Sequence, residues 1–319
     1  MPAFHLRPRK PIKLVSVALV CLFLVMNVLA AFHAYTFTHF SSSATAKTNS
    51  NQDFTLAQKA GILLFGVSNP RPENSTLPEA PFELVSLPAA VPIEAWFIPT
   101  ENARGTVILC HGYGGEKSSM LDKANIFRSL GYNTFLMDFR GAGNSGGNQT
   151  TIGYKEAQEV KLALEYCRNR GEERLILFGT SMGAVAIMHA LQDPSVRVDG
   201  IILECPYGSV LQTVQNRFKM MGVPMFPMAY LLTFWGGALN GFNAFSHVPS
   251  EYAASIQVPT LLLYGEKDSK VTYQETEEIF RNLRGPKNLR TYPDAGHENY
   301  LLRYEGEWTA DVKGFLSQY

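Results

Sequence analysis

From Phe82 to the C-terminus, short continuously apolar runs alternate with longer runs of helical period. Eight of the short runs have strand length: Phe82–Leu87, Ile93–Ile98, Thr106–Cys110, Asn133–Asp138, Arg174–Gly179, Gly200–Glu204, Thr260–Tyr264 and Leu289–Tyr292. A turn around Pro88 and Pro92 joins the first two. Between the others, Ser119–Leu130 reads as a helix closed by Gly131, and Ala157, Val160, Leu164 and Cys167 recur at helical spacing before Gly171. Met182–Leu191 and Glu275–Leu283 are further helices, and Trp308, Val312, Phe315 and Leu316 form the apolar face of a last one. Strands that are apolar throughout need cover on both faces. The pattern therefore predicts an α/β fold, a mostly parallel eight-stranded sheet between helical layers, with ligands bound beyond the carboxyl ends of the strands.

The N-terminal part follows a different pattern. Leu14–Ala46 contains no Asp, Glu, Lys or Arg, and its apolar section Leu14–Phe32 has about the length of a bilayer-crossing helix. Arg7, Arg9, Lys10 and Lys13 precede it, and the next basic residue is Lys47. This asymmetry predicts a single-pass anchor with a cytoplasmic N-terminus and the main domain on the exported side, periplasmic or extracellular. Tyr35 and Phe37 are expected near the far interface. A cleaved signal peptide is the competing reading, with small residues at Val28-Leu29-Ala30, and would leave a secreted protein. The uninterrupted apolar length favours the anchor. Lipidation at Cys21 is disfavoured by the bulky Val20 before it, and a buried core helix by the lack of a polar face. The expected organisation is a basic tail at 1–11, an anchor at 12–40, a tether and lead-in at 41–81, and the main domain at 82–319. Within the lead-in, Phe54–Val67 is a short apolar stretch, and Asn69–Pro81 is proline-rich and reads as extended.

A hydrophobic share of 46% against 18% charged residues supports a large core and excludes global disorder. Lys+Arg and Asp+Glu both total 28, so no basic surplus suggests nucleic acid. The cysteines at 21, 110, 167 and 205 form no CxxC and no Cys/His spacing of a metal site; neither a metal nor an organic cofactor is expected. Cys110 and Cys167 read as small buried hydrophobes, whereas Cys205 falls at a strand end.

The chemistry concentrates in three places. Gly179-Thr180-Ser181-Met182-Gly183 lies between a predicted strand and a predicted helix, where a sharp turn lifts a serine hydroxyl above the sheet and Gly179 and Gly183 let that turn be tight. A serine nucleophile needs a base. Among the seven histidines, only His297 follows the last predicted strand and precedes the last helix. The imidazole in turn needs a carboxylate to orient it, and Asp268 directly follows the Thr260–Tyr264 strand. Glu204 is the main rival; Glu266 and Asp294 are weaker ones, the latter better placed to cap a turn.

His111-Gly112-Tyr113-Gly114-Gly115, the segment Asp138–Ser145 (DFRGAGNS), the serine pentapeptide, Gly265-Glu266-Lys267-Asp268 and Ala295-Gly296-His297 together resemble the α/β-hydrolase superfamily over about 106–316. More narrowly they resemble bacterial membrane-anchored hydrolases of the serine aminopeptidase-like and lysophospholipase-like kind. The resemblance implies the α/β-hydrolase fold, a Ser181–Asp268–His297 triad in that chain order, and an oxyanion hole from the backbone N–H groups of Tyr113 and Met182. His111 and the Asp138–Ser145 loop would be structural, and the Tyr113 side chain could line the pocket.

A short helical lid is expected after the sixth strand, at about 207–257. This interval is rich in Met, Phe, Leu and Gly, which suits acyl chains; a buried helical pair or a patch leaning on the membrane fits equally. The implied activity is hydrolysis of an ester or thioester through an acyl-Ser181 intermediate, as in a carboxylesterase, lipase or lysophospholipase. The expected partners are a small or lipid-like acyl substrate and the membrane. A peptidase or acyltransferase on the same residues remains open, as does an inactive membrane-bound scaffold, although no triad member is missing. Asn74 and Asn148 begin glycosylation sequons relevant only to a eukaryotic secretory pathway.

Overall fold

The computed structural model describes residues 10–42 and 69–318, with single positions between 55 and 66. The basic tail before residue 10 and most of Phe54–Val67 lie outside the described residues. Eight strands form one sheet: β1 Glu83–Leu87, β2 Ile93–Ile98, β3 Thr106–Cys110, β4 Asn133–Met137, β5 Leu175–Thr180, β6 Gly200–Glu204, β7 Thr260–Gly265 and β8 Lys287–Tyr292. Their spatial order is β1-β2-β4-β3-β5-β6-β7-β8. The β1–β2 and β2–β4 pairs are antiparallel and all the others parallel. Strands β3, β4 and β6 are buried along their whole length, as the absence of alternation in their sequences requires.

Among the described residues the longer continuous helices, in chain order, are α1 Lys10–Thr38, α2 Leu121–Ser129, α3 Glu156–Asn169, α4 Met182–Ala190, α5 Val210–Met221, α6 Met228–Asn240, α7 Tyr273–Asn282 and α8 Glu305–Gln318. One sheet face packs on Val160, Leu164, Ile187 and Ile279 of α3, α4 and α7. The other packs on Phe127 of α2 and on Trp308, Val312 and Phe315 of α8. Helix α7 begins two residues before the expected Glu275, because Thr272 and Glu275 form a capping box. The expected start of α2 at Ser119 is instead a 3-10 turn, Lys117–Met120, that leads into the helix.

Between β6 and β7, α5 and α6 form a helical roof. Ser209 caps α5 by accepting a bond from the Gln212 amide, and Gly222 ends it in the left-handed conformation. Helix α1 is long and apolar enough to cross a membrane, by length and composition. It continues beyond the apolar section Leu14–Phe32 to Thr38, with no Gly or Pro after Pro11 to interrupt it. Its first half is exposed; from Met26 onward it packs along α6, with Ala30 and Ala34 buried one turn apart. Trp235 Nε1 of α6 donates to Asn27 Oδ1 of α1 at 3.2 Å.

The exit of α1 is stitched to the main domain. The Phe40 amide donates to Asn148 O (2.7 Å), and the Thr150 amide to Thr38 O (2.9 Å). Further on, Asn69 Nδ2 donates to Phe37 O (3.1 Å) and Arg71 Nε to Gly143 O (3.2 Å).

Candidate active site

Strand β5 ends at Thr180, and α4 starts at Met182. Ser181 between them has φ 50° and ψ −110°, a conformation that an L-residue holds only under constraint. Part of that constraint is the bond from the Ser181 amide to Glu204 O on the neighbouring strand, at 2.7 Å. The rest is close packing. A Cβ on Gly183 would lie 2.1 Å from Cys110 O, and one on Gly179 would lie 2.6 Å from the Ala184 amide nitrogen. The two glycines allow the strand-to-helix turn to close against β3.

Two loops bring the other predicted residues to this turn. After β7, Asp268 is buried and its Oδ1 accepts the amides of Lys270 (2.7 Å) and Val271 (2.9 Å). Its Oδ2 lies 2.7 Å from His297 Nδ1, in the loop after β8. His297 Nε2 in turn lies 3.1 Å from Ser181 Oγ. A carboxylate on Nδ1 fixes the tautomer with a proton there and leaves Nε2 free to accept one from the hydroxyl.

The rival carboxylates are engaged elsewhere. Glu204 is buried under the turn, where it accepts Trp308 Nε1 (3.1 Å) and Thr180 Oγ1 (2.9 Å) and pairs with Lys123 Nζ (3.3 Å). Asp294 pairs with Lys267 at the surface, and Glu266 accepts from Thr291 Oγ1 at 2.7 Å. Ligating atoms of Cys205, Asp268 and His297 lie within 4.8 Å of one another. That trio is poorly suited to a cation: both imidazole nitrogens are engaged, and burial holds the Cys205 thiol far above its ordinary pKa, away from the thiolate form.

The loop after β3 lies directly against the serine, since a Cβ on Gly112 would be 3.7 Å from Ser181 Cβ. The expected backbone donors, Tyr113 and Met182, directly follow these two neighbours in the chain. The Tyr113 side chain reaches α1. Its ring stacks on Phe37 of α1, with centroids 4.6 Å apart and planes 12° from parallel, and its Oη donates to Phe37 O at 2.8 Å.

His111 is buried; its Nε2 accepts the Phe139 amide at 3.0 Å, and its Nδ1 lies 2.8 Å from Gly112 O. Asp138 accepts the Lys117 amide (2.7 Å), Asn144 amide (3.0 Å) and Asn74 Nδ2 (2.8 Å), and it pairs with the Lys117 ammonium. Burial alone would raise the Asp138 carboxyl, but Lys117, His111 and these bonds hold it below the usual carboxylate range. Both residues therefore brace the loops around the serine.

Two participants were missed in the sequence. Lys117 is fully buried between Asp138 and Glu94 (2.9 Å), and no periodic signal marks a lysine in a loop as internal. Arg217 on α5 is withdrawn from water, which lowers its basicity, and it lies within the fields of Asp268 and Tyr113. Lys219 stands two residues away on the same helix, so the sequence did not single Arg217 out.

The comparisons with known proteins agree with this architecture. An esterase from Pyrococcus furiosus superposes with a TM-score of 0.65 at 23% identity, over 78% of this chain and 97% of that one. A profile described as "Serine aminopeptidase, S33" matches residues 101–233. The chain has the α/β-hydrolase fold. An esterase from Exiguobacterium antarcticum shares the fold at a TM-score of 0.56 and 18% identity, over 73% of this chain and 99% of that one. Among curated proteins, YqkD of Bacillus subtilis is 25% identical over 70% of this chain and 75% of its own length. Rv2307c of Mycobacterium tuberculosis is 26% identical over 83% of this chain and 89% of its own. A yeast relative described as an uncharacterized membrane protein, YNL320W, is 25% identical over 71% of this chain and 75% of its own length.

Proposed function

We propose that this α/β-hydrolase is a membrane-anchored serine esterase that acts through an acyl-Ser181 intermediate. The observation that carries the reading is the pair of contacts linking Asp268, His297 and Ser181 at 2.7 and 3.1 Å. In the forward step, His297 Nε2 takes the Ser181 proton as Oγ attacks the ester carbonyl, and the Tyr113 and Met182 amides receive the developing oxyanion. His297 then returns the proton to the leaving alcohol, and water repeats the sequence on the acyl-enzyme. Asp268, held by two backbone amides, stabilises the imidazolium in both halves. In the same reading α1 is the anchor, supported by its apolar length and the basic residues before it.

The matching profile's name favours a second reading, an aminopeptidase. Such an enzyme must hold a substrate α-ammonium, commonly with a carboxylate. Residues 208–250, the whole roof, contain no Asp or Glu, and the charge that the roof brings beside the site is Arg217. A cation there repels an α-ammonium, so the ester reading is preferred. A fluorophosphonate probe tests the nucleophile: wild type is labelled, while Ser181→Ala is not and loses roughly 10⁴–10⁶-fold in turnover. A panel of p-nitrophenyl acyl esters and aminoacyl amides tests the bond type, and turnover confined to the amides overturns the ester assignment. Absence of labelling in both wild type and variant points to an inactive scaffold.

A further inference from the structure

The geometry points to a second membrane contact: the hairpin from Met220 to Phe245, which includes α6, is inserted in the same leaflet as the C-terminal half of α1. The inference rests on the anchoring reading of α1 and is independent of the catalytic one. If α1 spans, the depth of α6 follows. The apolar run ends at Phe32, and Asn27 lies about five residues before it, roughly 8 Å below the hydrocarbon boundary at 1.5 Å per residue. Trp235 of α6 donates to the Asn27 side chain, so it sits at that depth too. An indole N–H and an amide oxygen that satisfy each other between two helices suit a place without water.

The composition of the hairpin agrees with that depth. Residues 220–250 contain no Asp, Glu, Lys or Arg, and the exposed Lys219 stands at the border. The surface that the end of α5, the following loop and α6 turn outward is apolar, with Phe226 77% exposed and Phe234 51% exposed, joined by Met221, Met225 and Tyr230. Helix α1, which packs along α6, also exposes apolar side chains, among them Val28 and Phe32. A charge-free face beside a spanning helix fits lipid chains, whereas a soluble partner would leave its own rim of polar groups to be matched.

The test places a nitrobenzoxadiazole label on the full chain, reconstituted in phosphatidylcholine vesicles containing acyl-brominated phosphatidylcholine. Cys21 is exposed on α1 and the other three cysteines are buried, so the native chain reports on α1. In a Cys21→Ala background, Phe226→Cys and Phe234→Cys report on the hairpin, and Glu277→Cys on an exposed site of α7. The expected result is bromolipid quenching at 226 and 234, as at Cys21, with little iodide quenching, and the reverse at 277. Phe226 lies in an exposed loop, so its label remains informative if the change at 234 disturbs packing. Iodide quenching at 226 and 234 alongside lipid quenching at Cys21 overturns the insertion and leaves the anchor standing. Labels at 226 and 234 shielded from both quenchers mean that protein covers the face, which also overturns it. A Cys21 label open to iodide removes the anchor and the inference together.

Discussion

Replacing Asp268 by Asn tests the proposed mechanism at a point where the structure dictates the outcome. Oδ1 of Asp268 accepts two backbone amides, at 2.7 and 2.9 Å, and only a carbonyl oxygen can take that place in an asparagine. The amide NH₂ must then occupy the Oδ2 position, 2.7 Å from His297 Nδ1. A donor there forces Nδ1 to accept, moves the ring proton to Nε2, and removes the lone pair that should take the Ser181 proton. The expected loss in kcat is roughly 10⁴-fold, the magnitude known for a wrong tautomer in such a triad, or about 5 kcal/mol of barrier. Stability should change little, because both amides keep their acceptor. Asp268→Ala leaves those two amides unmatched and should cost about 1–3 kcal/mol of stability for each as well as the activity. Steady-state turnover of a short p-nitrophenyl ester, with thermal unfolding measured in parallel, separates the two effects. Glu204→Gln is the control: its carboxylate serves Trp308, Thr180 and Lys123, so the change should lower stability more than turnover. Asp268→Asn activity within about tenfold of wild type, together with a 10⁴-fold loss in Glu204→Gln, would refute the assignment.

Two further outcomes follow from packing and burial. Gly183→Ala puts a methyl 2.1 Å from a backbone oxygen that cannot rotate away, so it should lower stability by at least about 1–3 kcal/mol and abolish probe labelling; unchanged melting and labelling would count against the tight turn. His247 is buried beneath the roof, and burial lowers its pKa to about 3, against bonds to Ile152 O that raise it. The unfolded chain takes up this proton first, so stability is full above about pH 6.5 and falls on acidification towards pH 3, by at most about 1.4 kcal/mol per pH unit from this group. Melting temperatures between pH 7.5 and 5 should fall more steeply for wild type than for His247→Gln, and parallel curves would exclude the effect.

Much of this architecture was legible in the sequence, for identifiable reasons. Strands buried on both faces leave apolar runs with no alternation, and β3, β4 and β6 were readable to within a residue. The serine, histidine and aspartate stood out because each follows a strand, and a parallel sheet brings strand ends together. β8 was read two residues short because it is an edge strand, with polar and half-exposed positions at its start. The start of α7 was available in Thr272 and Glu275 but was passed over for the apolar period. Nothing local could reveal that Phe37 would stack on Tyr113 or that Asn27 would meet Trp235, since such contacts join distant segments and leave no periodic trace. The strand order, with β4 between β2 and β3, was hidden for the same reason.

The backbone of Ser181 carries one more implication. A residue other than glycine held at φ 50° and ψ −110° costs about 1–3 kcal/mol, and neighbouring bonds hold it there. Glycine at that position would relieve the strain and lose the hydroxyl, so the molecule would trade its chemistry for a more comfortable fold. Robustness and reactivity thus compete at a single residue, and selection for endurance alone would tend to erase the serine.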